Sequence, residues 1–233
     1  MKEELREKVL GLGANLCGFA GIERFVGAPK GFHPCDIFPD CKSVVAFGIA
    51  LPKGIYVADS RLIYSYFNNF ACPQVDSIAY HTAVVLENTY HGLGVPLPSD
   101  GPYDYWDEEK MEGRGLLSMK HVAYLSGIGT FGKSTLLLNS EYGNRLVIGC
   151  VLTNLEIESD EFASGICLEH CDLCIRNCPV GAINESGVEQ KMCRMNSYGK
   201  TKRGFDTVEC NRCRTACPMC FGLHEFQAHC KAK

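Results

Sequence analysis

Ten of the fifteen cysteines fall in the last 73 residues of this 233-residue chain, and eight of those ten form two runs. The first reads Cys167-x3-Cys171-x2-Cys174-x3-Cys178-Pro179. The second is Cys193 followed by Cys210-x2-Cys213-x3-Cys217-Pro218. Thiolates two and three residues apart can converge on one iron–sulfur cube, and a Pro after the last ligand turns the chain away. Eight such ligands suit two 4Fe–4S clusters. A structural zinc site needs two Cys-x2-Cys pairs closing a tetrahedron, and it leaves both Cys-Pro endings unexplained. Cys220 follows a ligand by three residues and is a possible substitute for it. Cys230 reads as a bystander.

The two Cys-Pro runs are similar to those of bacterial two-cluster ferredoxins. In that arrangement the last Cys of each run reaches across to the other cluster. The resemblance implies one cluster on Cys167, Cys171, Cys174 and Cys217, and a second on Cys193, Cys210, Cys213 and Cys178. The spacing Cys167-x3-Cys171-x2-Cys174 also fits a radical S-adenosylmethionine motif. The 59 residues after Cys174 cannot build the large barrel that follows such a motif, and a fourth Cys stands four positions on.

Those clusters must be carried by a larger body. A chain with 46% hydrophobic residues can build one sizeable core and a small appendage. No apolar signal segment opens it and no apolar run is long enough to span a bilayer, so the expectation is a reducing, cytoplasmic setting with no membrane partner. A net charge of −4 gives no footprint for nucleic acid, which is therefore not expected as a partner. The acidic stretch at 156–161 is the one seam. It divides the chain into an α/β domain over residues 1–160 and a cluster module over 161–233.

Within the front domain, residues 43–51 and 145–153 are continuous apolar runs that read as buried strands. Residues 76–93 carry apolar positions at helical spacing, with Asp76 as N-cap and Gly94 near the end. A second helix is expected over 116–125. Between the helices lies an aromatic, acidic loop at 99–107 holding the only Trp. Its possible roles are a surface loop anchored by its aromatics or a substrate lid. Gly127-x-Gly129-x-x-Gly132-Lys133-Ser134 matches both the phosphate-loop and the dinucleotide patterns. Both need a strand directly before the glycines, and the preceding segment has helical spacing.

The stretch from Ser126 through Gly129, Phe131, Gly132, Lys133, Ser134, Tyr142, Gly143 and Arg145, followed by Val151-Leu152-Thr153-Asn154 and a Cys run, resembles epoxyqueuosine reductases and, more distantly, reductive dehalogenases. Residues 12–20 and 38–48 look like that family's opening segments. The resemblance implies a nitroreductase-like α/β core that holds cobalamin, with a ferredoxin-like module feeding it electrons. Residues 129–145 would then line the corrin, their glycines giving clearance for a flat macrocycle. The chain departs from the family in three places. Glu112-Gly113-Arg114-Gly115 stands where an acidic segment should lie, the C-terminal repeat domain is missing, and the first ligand spacing is x3.

Taken together these readings describe a cobalamin-dependent oxidoreductase that takes electrons from a ferredoxin or flavodoxin and reduces a small electrophilic substrate. Proton donors are sought among Asp100, Tyr103, Asp104 and Tyr105. The alternatives are a flavin-dependent reductase and a non-catalytic electron carrier that docks through Lys191, Arg194, Lys200, Lys202, Arg203, Arg212 and Arg214. Cys193 is the isolated ligand of its set. Cys193→Ser is therefore expected to halve the iron content, from about eight to about four per chain. Iron assay and reduced-state resonance spectra check this, and unchanged iron would overturn the pairing.

Overall fold

A computed structural model describes residues 1–103 and 105–226, so Asp104 and Cys230 lie outside the described residues. Its centre is a four-stranded antiparallel sheet of β1 (Leu16–Gly21), β2 (Ser43–Ala50), β3 (Gly94–Leu97) and a late strand at Leu146–Thr153. Two short hairpins come between: β4 (Tyr105–Asp107) with β5 (Glu112–Arg114), and β6 (Thr130–Phe131) with β7 (Leu137–Leu138). The late strand is β8, and the sheet order is β1-β2-β8-β3.

Both faces of the sheet are covered. Along β2, Val44 and Ala46 enter one core with Cys150 and Leu152 of β8, whereas Val45, Phe47 and Val151 enter the other. This alternation between two buried layers is why both strands read as unbroken apolar runs. One layer is closed by α1 (Lys2–Gly11) and by α4 (Arg61–Tyr90), which follows the short turns α2 (Pro34–Ile37) and α3 (Gly54–Val57). The opposite layer is closed by α5 (Met119–Leu125), whose Val122 and Ala123 are buried there.

The long helix differs from the sequence expectation. It starts at Arg61 rather than Asp76, runs 30 residues and carries Pro73 in its interior. Asp76 is mid-helix, where its carboxylate accepts from Ser99 N at 2.8 Å. The helix ends at His91 in the left-handed region (φ 55°), and Gly94 opens β3. An aromatic-rich first half, with buried Tyr64 and Ala71, extends the apolar face past the Pro. The second helix is shorter than expected, beginning at Met119 after Ser118.

The cysteine-rich region adds α6 (Leu173–Arg176), the bridge pair β9 (Ile183–Asn184) and β10 (Gly187–Val188), α7 (Gln190–Ser197), the hairpin β11 (Tyr198–Lys200) with β12 (Asp206–Val208), and α8 (Arg212–Thr215). No helix among the described residues is long and apolar enough to cross a membrane.

The acidic stretch read as a seam is bound to the sheet edge. Asp160 N donates to Phe19 O at 2.9 Å, and the Asp160 carboxylate accepts from Phe19 N at 3.1 Å. The same carboxylate pairs with Lys2 and Arg6, each at 2.8 Å, which ties α1 to the exposed edge of β1. Burial pushes the Asp160 carboxyl up, but its hydrogen bonds and charge contacts with Arg6 and Lys2 outweigh that and hold it below the usual carboxylate range. A depressed folded value gives stability that is present above the unfolded value, about 3.9, and is lost as pH falls through the folded one. Asp160→Asn is expected to cost about 1–3 kcal/mol at pH 7. The difference in urea midpoint from wild type should hold from pH 7 to about pH 5 and shrink only as the pH falls below about 4.

Candidate cluster sites and the segment beside them

The short turn α6 and the segments around it bring Cys167, Cys171, Cys174 and Cys217 to the wall of one cavity. Burial, with Cys167, Cys174 and Cys171 adding to it against a backbone hydrogen bond from Met219, pushes the Cys217 thiol up to about 11. Cys174 is raised by burial and then by Cys167. The other four thiols form a second group. Burial and then Cys210 and Cys178 raise Cys193. Burial raises Cys213 to about 11, against the pull of Arg214 and with Cys193, Cys210 and Cys178 adding to the rise. Each run's last cysteine therefore stands with the other run's set.

Among the described residues no three His, Cys, Asp or Glu side chains gather as for a single metal ion. The first group instead rings a space. Burial first, and neighbouring thiols after it, resist deprotonation of Cys174 and Cys217, and bound iron would reverse that preference. The donor set fits a cluster. Cys220 is not on the first cavity; its thiol donates to Asn144 Oδ1 at 3.5 Å. All fourteen described cysteines are free, so no disulfide competes for the ligands.

The rest of the first cavity's wall comes from the front domain. Gly132, Lys133, Ser134 and Leu138, in and beside the β6–β7 hairpin, line it. Lys133 donates to the carbonyls of Glu169 and, at 3.0 Å, Cys171. The lysine of the phosphate-loop pattern is thus spent on the loop that carries the first ligands, and a helix, α5, precedes the glycines. The segment continues into a joint with the cysteine-rich region. Asn144 N donates to Cys220 O at 3.3 Å, Asn144 Nδ2 donates to Arg214 O at 3.1 Å, and Leu223 N donates to Ser140 O at 2.8 Å.

This geometry changes the reading of two glycines. A Cβ at Gly132 would stand 2.9 Å from Leu138 Cδ1, and one at Gly143 (φ +62°) only 2.1 Å from Cys220 O. The chain's own packing therefore requires Gly143, whereas the neighbour of Gly132 is the movable end of a leucine side chain. Phe131 lies against His121 and Tyr124, with ring centroids 4.8 and 5.7 Å apart. Gly129 carries the turn into that hairpin, and Tyr142 donates to Asn15 O at 3.5 Å. The Arg145 guanidinium donates to Leu51 O and lies 5.7 Å from the Phe221 ring. Three buried polar atoms on or just before this segment have no partner: Ser126 Oγ, Thr130 Oγ1 and Arg145 Nε. Unpaired buried groups are rare in folded proteins, so this stretch retains capacity for a further polar group.

The aromatic loop forms a small hairpin, β4–β5, held from the far side. Arg194 of α7 donates to Met111 O, and its guanidinium lies 5.7 Å from the Tyr103 ring and 5.1 Å from that of Trp106. Tyr103 and Trp106 stack on each other at 5.8 Å. Tyr103 OH donates to Asp100 Oδ1 at 3.5 Å, and burial, then Asp100, raises its pKa. Tyr105 OH reaches Asp107 at 3.4 Å instead. Among the described residues the loop therefore offers two Tyr–Asp pairs, Tyr103 with Asp100 and Tyr105 with Asp107. Sequence reasoning placed Arg194 only in a basic docking run; its position directly after the isolated ligand Cys193 was the available signal.

Comparison with known proteins places this geometry. No family model matches the chain. The epoxyqueuosine reductase of Listeria monocytogenes is 33% identical over 91% of this chain and 56% of its own length. That of Bacillus subtilis is 26% identical over 98% of this chain and 66% of its own. A solved epoxyqueuosine reductase with an epoxyqueuosine-modified tRNA-Tyr stem loop superposes with a TM-score of 0.64 at 21% identity, covering 96% of this chain and 67% of that one. A catabolic reductive dehalogenase in complex with 3-bromo-4-hydroxybenzoic acid gives 0.68 at 15% identity, covering 97% and 33%. The mixed α/β fold is the one those structures have, and the chain spans between half and two thirds of the curated relatives' length. One of these solved reductases holds a tRNA stem loop, the class of partner that the charge of this chain made unexpected.

Arg194→Gln should free the β4–β5 hairpin while leaving the cysteines in place. The sole Trp, Trp106, is the probe: its emission should shift to the red and its quenching by acrylamide should rise. The lost contact is worth about 0.5–1 kcal/mol. Unchanged emission would mean that the hairpin is held by other contacts.

Proposed function

Because the chain is a short relative of the epoxyqueuosine reductase and reductive dehalogenase family, we propose that it is a reductase with two 4Fe–4S clusters and a corrin. One cluster is held by Cys167, Cys171, Cys174 and Cys217, and the other by Cys178, Cys193, Cys210 and Cys213. When bound, the clusters supply single electrons and the cobalamin a nucleophilic cobalt that reduces an electrophilic carbon. Residues 129–145 are the segment that holds the corrin, with the unpaired Thr130 hydroxyl and Arg145 Nε available to its polar side chains. The observation that carries this reading is the shared wall. Gly132, Lys133 and Ser134 face the same cavity as the first four thiols, so a group on that hairpin lies next to the first cluster.

The protein's own contributions are positioning and protons. Tyr103 keeps its proton through neutral pH because burial and Asp100 hold its pKa up, and it is the donor we assign. The Tyr103–Trp106 stack fixes the orientation of the phenol ring. Reduction of a carbon–halogen bond consumes two electrons and one proton and releases halide; removal of an epoxide oxygen as water consumes two electrons and two protons, and the Tyr103–Asp100 pair is placed to supply the first proton in either case. The electrons come from a carrier protein of the ferredoxin or flavodoxin class.

Anaerobically purified protein is expected to hold about eight irons and eight sulfides per chain and to retain one equivalent of added cobalamin through gel filtration. Turnover would then be assayed in two arms, an epoxyqueuosine-bearing tRNA stem loop and a soluble aryl halide. Tyr103→Phe should lower turnover about 10²-fold or more in whichever arm is active, with iron and corrin content unchanged. Iron and sulfide without corrin would favour the electron-carrier reading. Retention of flavin in place of corrin would favour a flavin-dependent reductase.

A further inference from the structure

Charge is distributed very unevenly around the two cysteine sets. Residues 155–172, which lead into the first set, contain six Asp or Glu and no Lys or Arg. Residues 190–215, which carry Cys193, Cys210 and Cys213, contain seven Lys or Arg against two Asp or Glu, in a chain whose net charge is −4. Two of the seven cations are engaged internally: Arg194 on the β4–β5 hairpin and Arg214 on the carbonyl of Asn144. Lys191, Lys200, Lys202, Arg203 and Arg212 are exposed. Of these five, only Lys200 is in an ion pair among the described residues, with Asp206 at 2.7 Å.

The same surface is apolar between its charges. Met195, Tyr198 and Phe205 are 67%, 43% and 65% exposed. Tyr198 pairs across the hairpin with Val208, whose N–H donates to Ser65 Oγ of α4 at 2.8 Å. Next to Ser65 on that helix stands an exposed aromatic trio, Tyr66, Phe67 and Phe70, with ring centroids 5.2–6.3 Å apart. Apolar centres ringed by charge are the anatomy of protein interfaces, and redox encounters use small ones steered by opposite charge.

We propose that this face, built on the β11–β12 hairpin and the adjoining turn of α4, is the docking surface for an acidic one-electron carrier protein. The proposal rests on the two-cluster reading above and adds where electrons enter: at the group held by Cys178, Cys193, Cys210 and Cys213. In each encounter the carrier loses one electron and that group gains it, with no bond made or broken. The first set, with its acidic approach and its wall on the front domain, is then the outgoing side. An acidic protein is favoured over RNA because the patch is contiguous with cluster ligands, and a carrier must approach them closely to pass an electron.

The test uses the anaerobic holoprotein, the charge-reversed pair K202E/R203E in the turn between β11 and β12, and K30E in the front domain as control. Iron is counted first in each, and both clusters are reduced with a neutral photoreductant. Binding of a small acidic 2Fe–2S ferredoxin is then followed by calorimetry, and cluster reduction by the same reduced ferredoxin by stopped flow. K202E/R203E is expected to weaken binding and slow reduction at least tenfold at low ionic strength, with the gap closing as salt is added. K30E and photoreduction should be unaffected. Equal ferredoxin binding by wild type and the pair would overturn the proposal. So would loss of tRNA stem-loop binding with ferredoxin binding intact, or a change from dimer to monomer in sedimentation, each of which assigns the patch to another occupant. A protein without iron overturns the two-cluster reading and this one with it, and the initial iron count shows that separately.

Discussion

The joint between Asn144 and the turn before Cys220 sets the position of everything functional in the chain. Asn144 binds Cys220 O and Arg214 O, and Gly143 lies so close to Cys220 that no side chain would fit. Cys217 is three residues before Cys220, and Arg214 directly follows Cys213. One backbone contact therefore positions a ligand of each set relative to β8, which begins two residues after Asn144. A cysteine-rich segment tethered only by a linker could bind clusters equally well. It could not keep one of them against the hairpin of the front domain.

Electrostatics explains why the cysteine sets tolerate being grouped. Burial, with neighbouring thiols adding to it, pushes Cys174 and Cys217 up in one set and Cys193 and Cys213 in the other, so these four favour the neutral thiol without iron. With iron bound the sulfurs become anionic and polar partners matter. Arg214 next to Cys213 and the Lys133 ammonium on the carbonyls of Glu169 and Cys171 already stand there. Both cations are fixed by backbone contacts, which makes them part of the site's permanent field.

The β4–β5 hairpin occupies the stretch of sequence where the family resemblance called for an acidic segment. Its acids serve the hairpin itself: Asp107 accepts from Lys110 N at 2.8 Å and Glu112 pairs with Arg114 at 2.7 Å. The Tyr103–Asp100 pair at the hairpin's base is latched by Arg194 to the helix that carries Cys193. The hairpin and the second cysteine set are thereby mechanically connected.

The two strands flanking the front core were legible in the sequence, because residues buried on both faces leave an unbroken apolar run. The spacing of the cysteines was legible too, since ligand convergence on a cube is a local constraint. Local signals misplaced the long helix: Asp76 looks like an N-cap, yet Tyr64 and Ala71 bury the turns before it and carry the helix through Pro73. The glycines of 127–143 show the same limit. Their pattern fits a nucleotide loop, a corrin cradle or tight internal packing; the helix before them argues against the first, and the approach of Cys220 O accounts for Gly143 by packing alone. Residue type and spacing determined which atoms could bind iron. Which surface lies over each set, and which wall the first set shares, depended on contacts between residues far apart in the chain, such as Asn144 with Arg214 and Lys133 with Cys171, and no local pattern encodes those.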